Sequence, residues 1–313
     1  MRDDRKYVSL SCVDGFAIHS DLVRTTNPNM RDTLLDALSA SASADAVSWL
    51  RGQISELSEN FEKHPFYYAF SGVSRRFDKA ATIQSENDTI VGWDEFRTAR
   101  VALLLVLAEK DKDTFLESFS AVLNTADIRE QIALFSALRW MPHQEDLVES
   151  AVDGLRSNIV DIYDSIALDN PFPQEHFTDE AWTQMVLKAI FISRPLHRIH
   201  GIEARRNQAL AEAISDLAHE RWAAGRVITP EAWRSCIGFI DERIAGDIAK
   251  MAESENPDDR AAAALVVAEE ESGKLESWKT TLADELSKIE TGDLSWKSLG
   301  QEMEDKTIRK SLT

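Results

Sequence analysis

Apolar residues recur at three- and four-residue intervals through most of the chain, and only short polar turns separate one such stripe from the next. That period places the apolar side chains on one face of an α-helix. Over residues 30–63 the stripe is Leu34, Leu35, Leu38, Val47, Leu50, Ile54 and Leu57, with a Ser/Ala-rich stretch, 39–46, as a turn between two helices. His64-Pro65 closes that segment, since a residue before proline resists the helical region. A short aromatic helix (65–77) and a polar loop (79–92) come next. Trp93–Lys110 then carries an apolar face wide enough for a central helix, with Phe96, Ala99, Val101, Leu103, Leu104 and Leu107 inside.

Local signals mark further helix ends. Asp127 with Glu130 forms a capping-box pattern. Thr178, Asn207 and Asn256-Pro257 read as helix starts, and Gly225 as a left-handed stop. Pro142 and Pro230 fit first turns, where no amide hydrogen is needed. After Gly292 the chain is polar and is expected to fray. Only 12 Gly and 8 Pro punctuate 313 residues, which suits long helices better than many strands. With no strand series, α/β nucleotide folds are disfavoured. The expected class is therefore all-α, a HEAT-like α-solenoid or irregular helical superhelix, with a compact irregular bundle as the alternative. The expected division is an N-terminal arm (1–29), a single helical domain (30–290) and a polar C-terminal tail (291–313).

The formal net charge of -19 argues against a nucleic-acid partner, because phosphate backbones call for a basic surface. It argues equally against an anionic membrane face. The longest strongly apolar run, VALLLVLA at 101–108, is too short to span a bilayer. The start, MRDDRKYVSL, lacks the apolar region of a signal peptide. Two cysteines, Cys12 and Cys236, make neither a disulfide framework nor a zinc quartet. A cytoplasmic protein with reduced thiols and no cofactor is the expectation.

Four sequence blocks, TADIREQIALFSALRWMPHQE (125–145), AVDGLRSNIVDIYDSIALDNPFPQEHF (151–177), AWTQMVLKAIF (181–191) and LAHERWAAGRVITPEAWR (217–234), together resemble the EboA family. FYYAFSGVSRRF (66–77) resembles that family's N-terminal part more loosely. The resemblance implies a place in a bacterial secondary-metabolite gene cluster, among a prenyltransferase, sugar-phosphate-cyclase-like and sugar-isomerase-like enzymes and a metal-dependent hydrolase-like protein. It supplies a pathway and no catalytic residues.

The residues themselves concentrate candidate chemistry between 169 and 226, which holds four of the seven His and a dense group of Arg. In Asp169-Asn170-Pro171-Phe172-Pro173-Gln174-Glu175-His176-Phe177 two prolines stiffen the backbone around Gln174, Glu175 and His176. The structural alternative is a rigid connection in which Asn170 and Gln174 bond helix-end carbonyls. Asp216, His219 and Glu220 supply half of a carboxylate-bridged metal site. The other half is missing, so no metal is expected, and His219, Glu220 and Arg221 fall back to hydrogen bonds and surface pairs. A cationic run, Lys188, Arg194, Arg198, Arg205 and Arg206, suits phosphate or carboxylate. Its alternative is internal pairing with the surplus of acids. Gln184 stands one turn before Lys188, on the same face.

Three functions follow. The first is a binding or accessory protein that holds a pathway intermediate or another pathway protein. Its ligand set would be Asn170, Gln174, His176, Gln184, Lys188, Arg194, Arg198, His219, Glu220 and Arg221. The second is an enzyme on a phosphorylated, cyclitol- or sugar-like or prenylated intermediate. There Glu175 or His176 is the acid/base, His219 a further catalytic candidate, and Arg194 and Arg198 the anion clamp. The third is a structural scaffold.

Overall fold

Side chains within three residues of a helix start decide much of the architecture. In the computed structural model, which describes residues 28–311, Ser43, Asp94, Asp111, Asp127, Thr178, Asn207, Asp241 and Asn256 each accept a hydrogen bond from the first turn of the helix they precede. Asp127 and Glu130 complete the capping box in both directions.

The helices are α1 (Pro28–Ser41), α2 (Ala44–Glu59), α3 (Lys63–Gly72), α4 (Glu95–Leu107), α5 (Lys112–Thr125), α6 (Ile128–Ala137), α7 (Val148–Leu155) and α8 (Val160–Ala167). After them come α9 (Phe172–His176), α10 (Asp179–Phe191), α11 (Gln208–Ala223), α12 (Glu242–Ala252), α13 (Pro257–Glu269), α14 (Ala283–Glu290) and α15 (Trp296–Ser311). Short 3-10 segments join several of them, including Leu196–Arg198 and Pro230–Cys236. Among the described residues there is no strand, only an isolated bridge between Thr82 and Asp94. The fold is all-α. None of the described helices is long and apolar enough to cross a membrane. The arm expected over 1–29 and Cys12 lie outside the described residues, apart from Pro28 and Asn29 at the start of α1.

Helix α4 is central, as its wide apolar face predicts: all of it but Arg97 is buried, and α1, α2, α3 and α6 pack on it. Contacts then pass from α6 to α8 and, further along, from α11 through α12, α13 and α14. The consecutive small residues Ala262, Ala263 and Ala264 are fully buried and let α13 lie close to its neighbours. Cys236 is buried beneath α11, and burial pushes its thiol pKa up.

Three local expectations differ from the structure. The break expected at His64-Pro65 falls earlier: α2 ends at Glu59 and α3 starts at Lys63, so His64 and Pro65 sit in the first turn of the aromatic helix. Pro142, expected in a first turn, does not open an α-helix: the next one starts at Val148, because His143 is left-handed (φ 53°) and a 3-10 turn intervenes. The segment expected to fray is α15, which docks through buried Trp296 and Leu299. Trp296 Nε1 donates to Glu269 at 2.8 Å. At Gly300, an added Cβ would lie 2.4 Å from His197 Nδ1 and 2.6 Å from Glu231 Oε1, so glycine lets α15 approach this closely.

Candidate functional site

On α6 the residues Arg129, Ile132 and Ser136 share one face by their three- and four-residue spacing, and Arg139 continues it just past the helix end. On α8 the same spacing aligns Asp161, Asp164, Ser165 and Leu168. These two faces, with the first turn of α4, wall a cleft of about 570 Å³. The loop 82–93 covers it. Its two ends are tied together, since Ile83 N donates to Trp93 O (2.8 Å) and Glu95 N to Ala81 O (3.1 Å). Asp169, Asn170 and Arg198 complete the lining. The volume suits a small molecule, and the lining is charged where most ligand pockets are apolar.

Most of that charge is internally matched. Asp94 accepts from the Arg97 backbone N–H (2.7 Å) and from Arg129 Nη1 (3.3 Å). Asp164 accepts from both Nε (2.8 Å) and Nη2 of Arg194, although burial still raises its carboxyl pKa. Asp169 accepts from Arg198 Nε at 2.9 Å, and Arg198 Nη1 reaches Glu304 on α15 at 3.0 Å. Asp169 is itself left-handed (φ 52°), with its N–H bonded to Arg198 O and its carbonyl accepting from Arg139 Nη1. A non-glycine residue held there marks a backbone fixed by its surroundings.

Arg97 is different. Its guanidinium lies 4.1 Å from the centroid of the Trp93 ring. Its Nε is buried without a hydrogen-bond partner, and it forms no ion pair among the described residues. Burial lowers its pKa to about 10, against the opposing pull of Asp94. Trp93 is held in turn by an edge-on contact with Trp140, whose other neighbour is Arg139 at 5.2 Å.

Two residues singled out from the sequence, Asn170 and Arg198, line this cleft, and Arg194 adjoins it through Asp164. Asn170 is also structural: its Nδ2 donates to Phe135 O (3.2 Å) and Ser165 O (3.1 Å), near the ends of α6 and α8. The others lie outside it. Gln174 packs under Gly201, and Gln184 is exposed on α10. Glu175 is exposed, while His176 meets Gln144 Oε1 (3.0 Å) and Glu145 Oε1 (3.3 Å) and packs on Phe172. Lys188 donates to Leu155 O and Ser157 O, closing the end of α7. His219 Nε2 bonds Asp247 Oδ1 at 2.6 Å, Glu220 is exposed, and Arg221 Nε donates to Val227 O. Arg205 and Arg206 pair with Asp179 and Glu269. Every cation of the 188–206 run therefore has a protein partner.

Arg97, Arg129 and Arg139 were not singled out from the sequence. A signal existed for Arg97. In EFRTARVALLLVL two arginines interrupt an otherwise apolar helix, so each needs a buried partner or a polar opening.

The model of the family described as metabolite traffic protein EboA matches residues 30–238. That span takes in the cleft from its covering loop to Arg198. No curated protein and no solved structure matches the chain.

Proposed function

The chain belongs to the EboA family, and on that premise we propose that it is a metabolite-binding accessory protein whose ligand sits in the cleft between α4, α6 and α8. The observation that carries this reading is the cleft itself, of small-molecule size and lined by charged and hydroxyl groups under a pinned loop. Such a lining rewards a polar solute that can replace water at many donors and acceptors at once. The family description, metabolite traffic, points the same way. Binding and handing on a molecule asks for orientation and exclusion, and the paired Arg and Asp side chains give a stiff polar frame for both.

Native mass spectrometry of the protein after incubation with small-molecule extract of its source organism tests this. Asp161 is exposed on the cleft wall, so Asp161→Trp occludes the opening with little risk to the core. A bound mass on the wild type that is absent from Asp161→Trp supports the reading. Equal retention by both, or none by either, overturns it.

A further inference from the structure

The charges in the cleft do not cancel uniformly, and the residue left over indicates the kind of molecule that fits. Three carboxylates are already neutralised: Asp94 by Arg129, Asp164 by Arg194 and Asp169 by Arg198. Arg139 spends one donor on a neutral carbonyl, Asp169 O. Arg97 spends no side-chain donor on any described residue. Its Nε is sealed from solvent without a partner, and its two Nη nitrogens, equally without a partner among the described residues, stay accessible. The two cleft carboxylates without an ion pair among the described residues, Asp88 and Asp161, are exposed at the rim. The half-buried end of the cleft thus carries two arginines, Arg97 and Arg139, that form no ion pair among the described residues, while the rim carries Asp88 and Asp161.

An unpaired, half-buried guanidinium is costly to keep, and a protein chain with a large surplus of acids has every opportunity to pair it. Here the neighbouring carboxylates are instead held by other arginines. The Trp93 ring lies against the Arg97 guanidinium, 4.1 Å from its centroid, and the Nη nitrogens have no partner among the described residues. Planar and unpaired, that edge matches two oxygens of a phosphate or carboxylate. Resting on the reading that the cleft binds a small metabolite, we propose that Arg97 is the seat for an anionic group of that metabolite, with its hydroxyl- or amine-bearing remainder turned toward Asp88 and Asp161. The ligand class is a small polyol or amine carrying a phosphate or carboxylate.

The test follows the protein's own side-chain signals. The Arg97 Nε–H and Trp93 Nε1–H resonances of 15N-labelled protein are assigned by their loss in Arg97→Lys and Trp93→Phe. Inorganic phosphate, acetate and neutral glucose are then titrated separately. Saturable movement of both resonances with phosphate or acetate is the expected result, and which anion acts at lower concentration separates the two sources of negative charge. In Arg97→Gln, the apparent affinity read at Trp93 should fall roughly ten- to hundredfold, the worth of a charge-assisted hydrogen bond. An unchanged anion response in Arg97→Gln overturns the assignment, as does a failure of both anions to move Arg97. If glucose moves the cleft resonances while the anions do not, the anionic group is ruled out and the cleft stands as a site for neutral solutes. The retention experiment with Asp161→Trp judges the cleft independently of Arg97.

Discussion

Arg97 and Arg100 stand three residues apart on α4 and meet opposite surroundings. Arg100 is 1% exposed, and its Nε donates to Phe70 O at 3.3 Å while Nη2 reaches Glu130 Oε1 at 3.4 Å. The rings of Phe70 and Phe96 cover its guanidinium. Arg97, nearly one turn earlier, has one aromatic neighbour, no carboxylate partner and an open cleft before it. Burial lowers the pKa of both. The difference lies in where the compensation comes from. Arg100 receives it from α3 and α6 and so ties three helices together. At Arg97 no described side chain forms an ion pair, and Asp94, the carboxylate that acts on it most, is itself paired with Arg129.

The largest effect should come from breaking the closed end of this comparison. Arg100→Met leaves Glu130 buried without its cation and removes the donor that Phe70 O, near the end of α3, relies on. The expected loss is about 3–5 kcal/mol, the range for one partner removed from a buried pair. Urea denaturation of the variant reads it directly. A loss below about 1 kcal/mol would mean that the pair is no stronger than a surface one.

A double substitution gives a smaller and more discriminating effect. Glu130 has two duties: Oε1 faces Arg100, and Oε2 accepts the Asp127 N–H in the capping box. Glutamine retains a carbonyl oxygen for the second duty and removes the stranded charge. Glu130→Gln in the Arg100→Met background should therefore recover roughly 1–3 kcal/mol, the coupling expected of groups in contact. If the two losses simply add, Arg100 and Glu130 stabilise the protein independently and the link from α4 to α6 lies elsewhere.

This contrast also explains what could be read from the chain. Helix starts were legible because a cap acts over three residues: Asp127 with Glu130, Thr178, Asn207 and Asn256 all perform as their positions predict. Gly225 is left-handed, as a helix stop requires. The central position of α4 was legible from its wide apolar face. The exact break before α3, and α15, were not, for a physical reason. Proline is equally at home just after a helix and in the first turn of the next, and what decides is the extended backbone at Glu62. Helix α15 is polar along most of its length and is held by two buried side chains and a glycine notch against His197 and Glu231. The cleft draws on residues from Thr82 to Arg198, so no local window contains it. The dense 188–206 run stood out because its cations are adjacent in sequence, whereas their partners, Asp164, Asp169, Asp179, Glu269 and Glu304, are scattered.

The smallest effect on stability is expected at the open end, and its sign is the informative part. Arg97→Met keeps an unbranched apolar stem out to about the position of Nε while deleting the half-buried guanidinium and its charge. The substitution forfeits a cation–π contact of about 0.5–2 kcal/mol. It also removes the desolvation cost that lowers the pKa of Arg97. These terms oppose each other, so stability should stay within about 1 kcal/mol of the wild type or rise above it. Thermal and urea unfolding of Arg97→Met beside Arg100→Met gives the comparison in one experiment. A loss at Arg97 as large as that at Arg100 would show that Arg97 is a structural cation after all, whose stabilising partner is Trp93. Unchanged or raised stability together with a lost anion response would instead identify a charge kept at the expense of the fold, as binding sites commonly are.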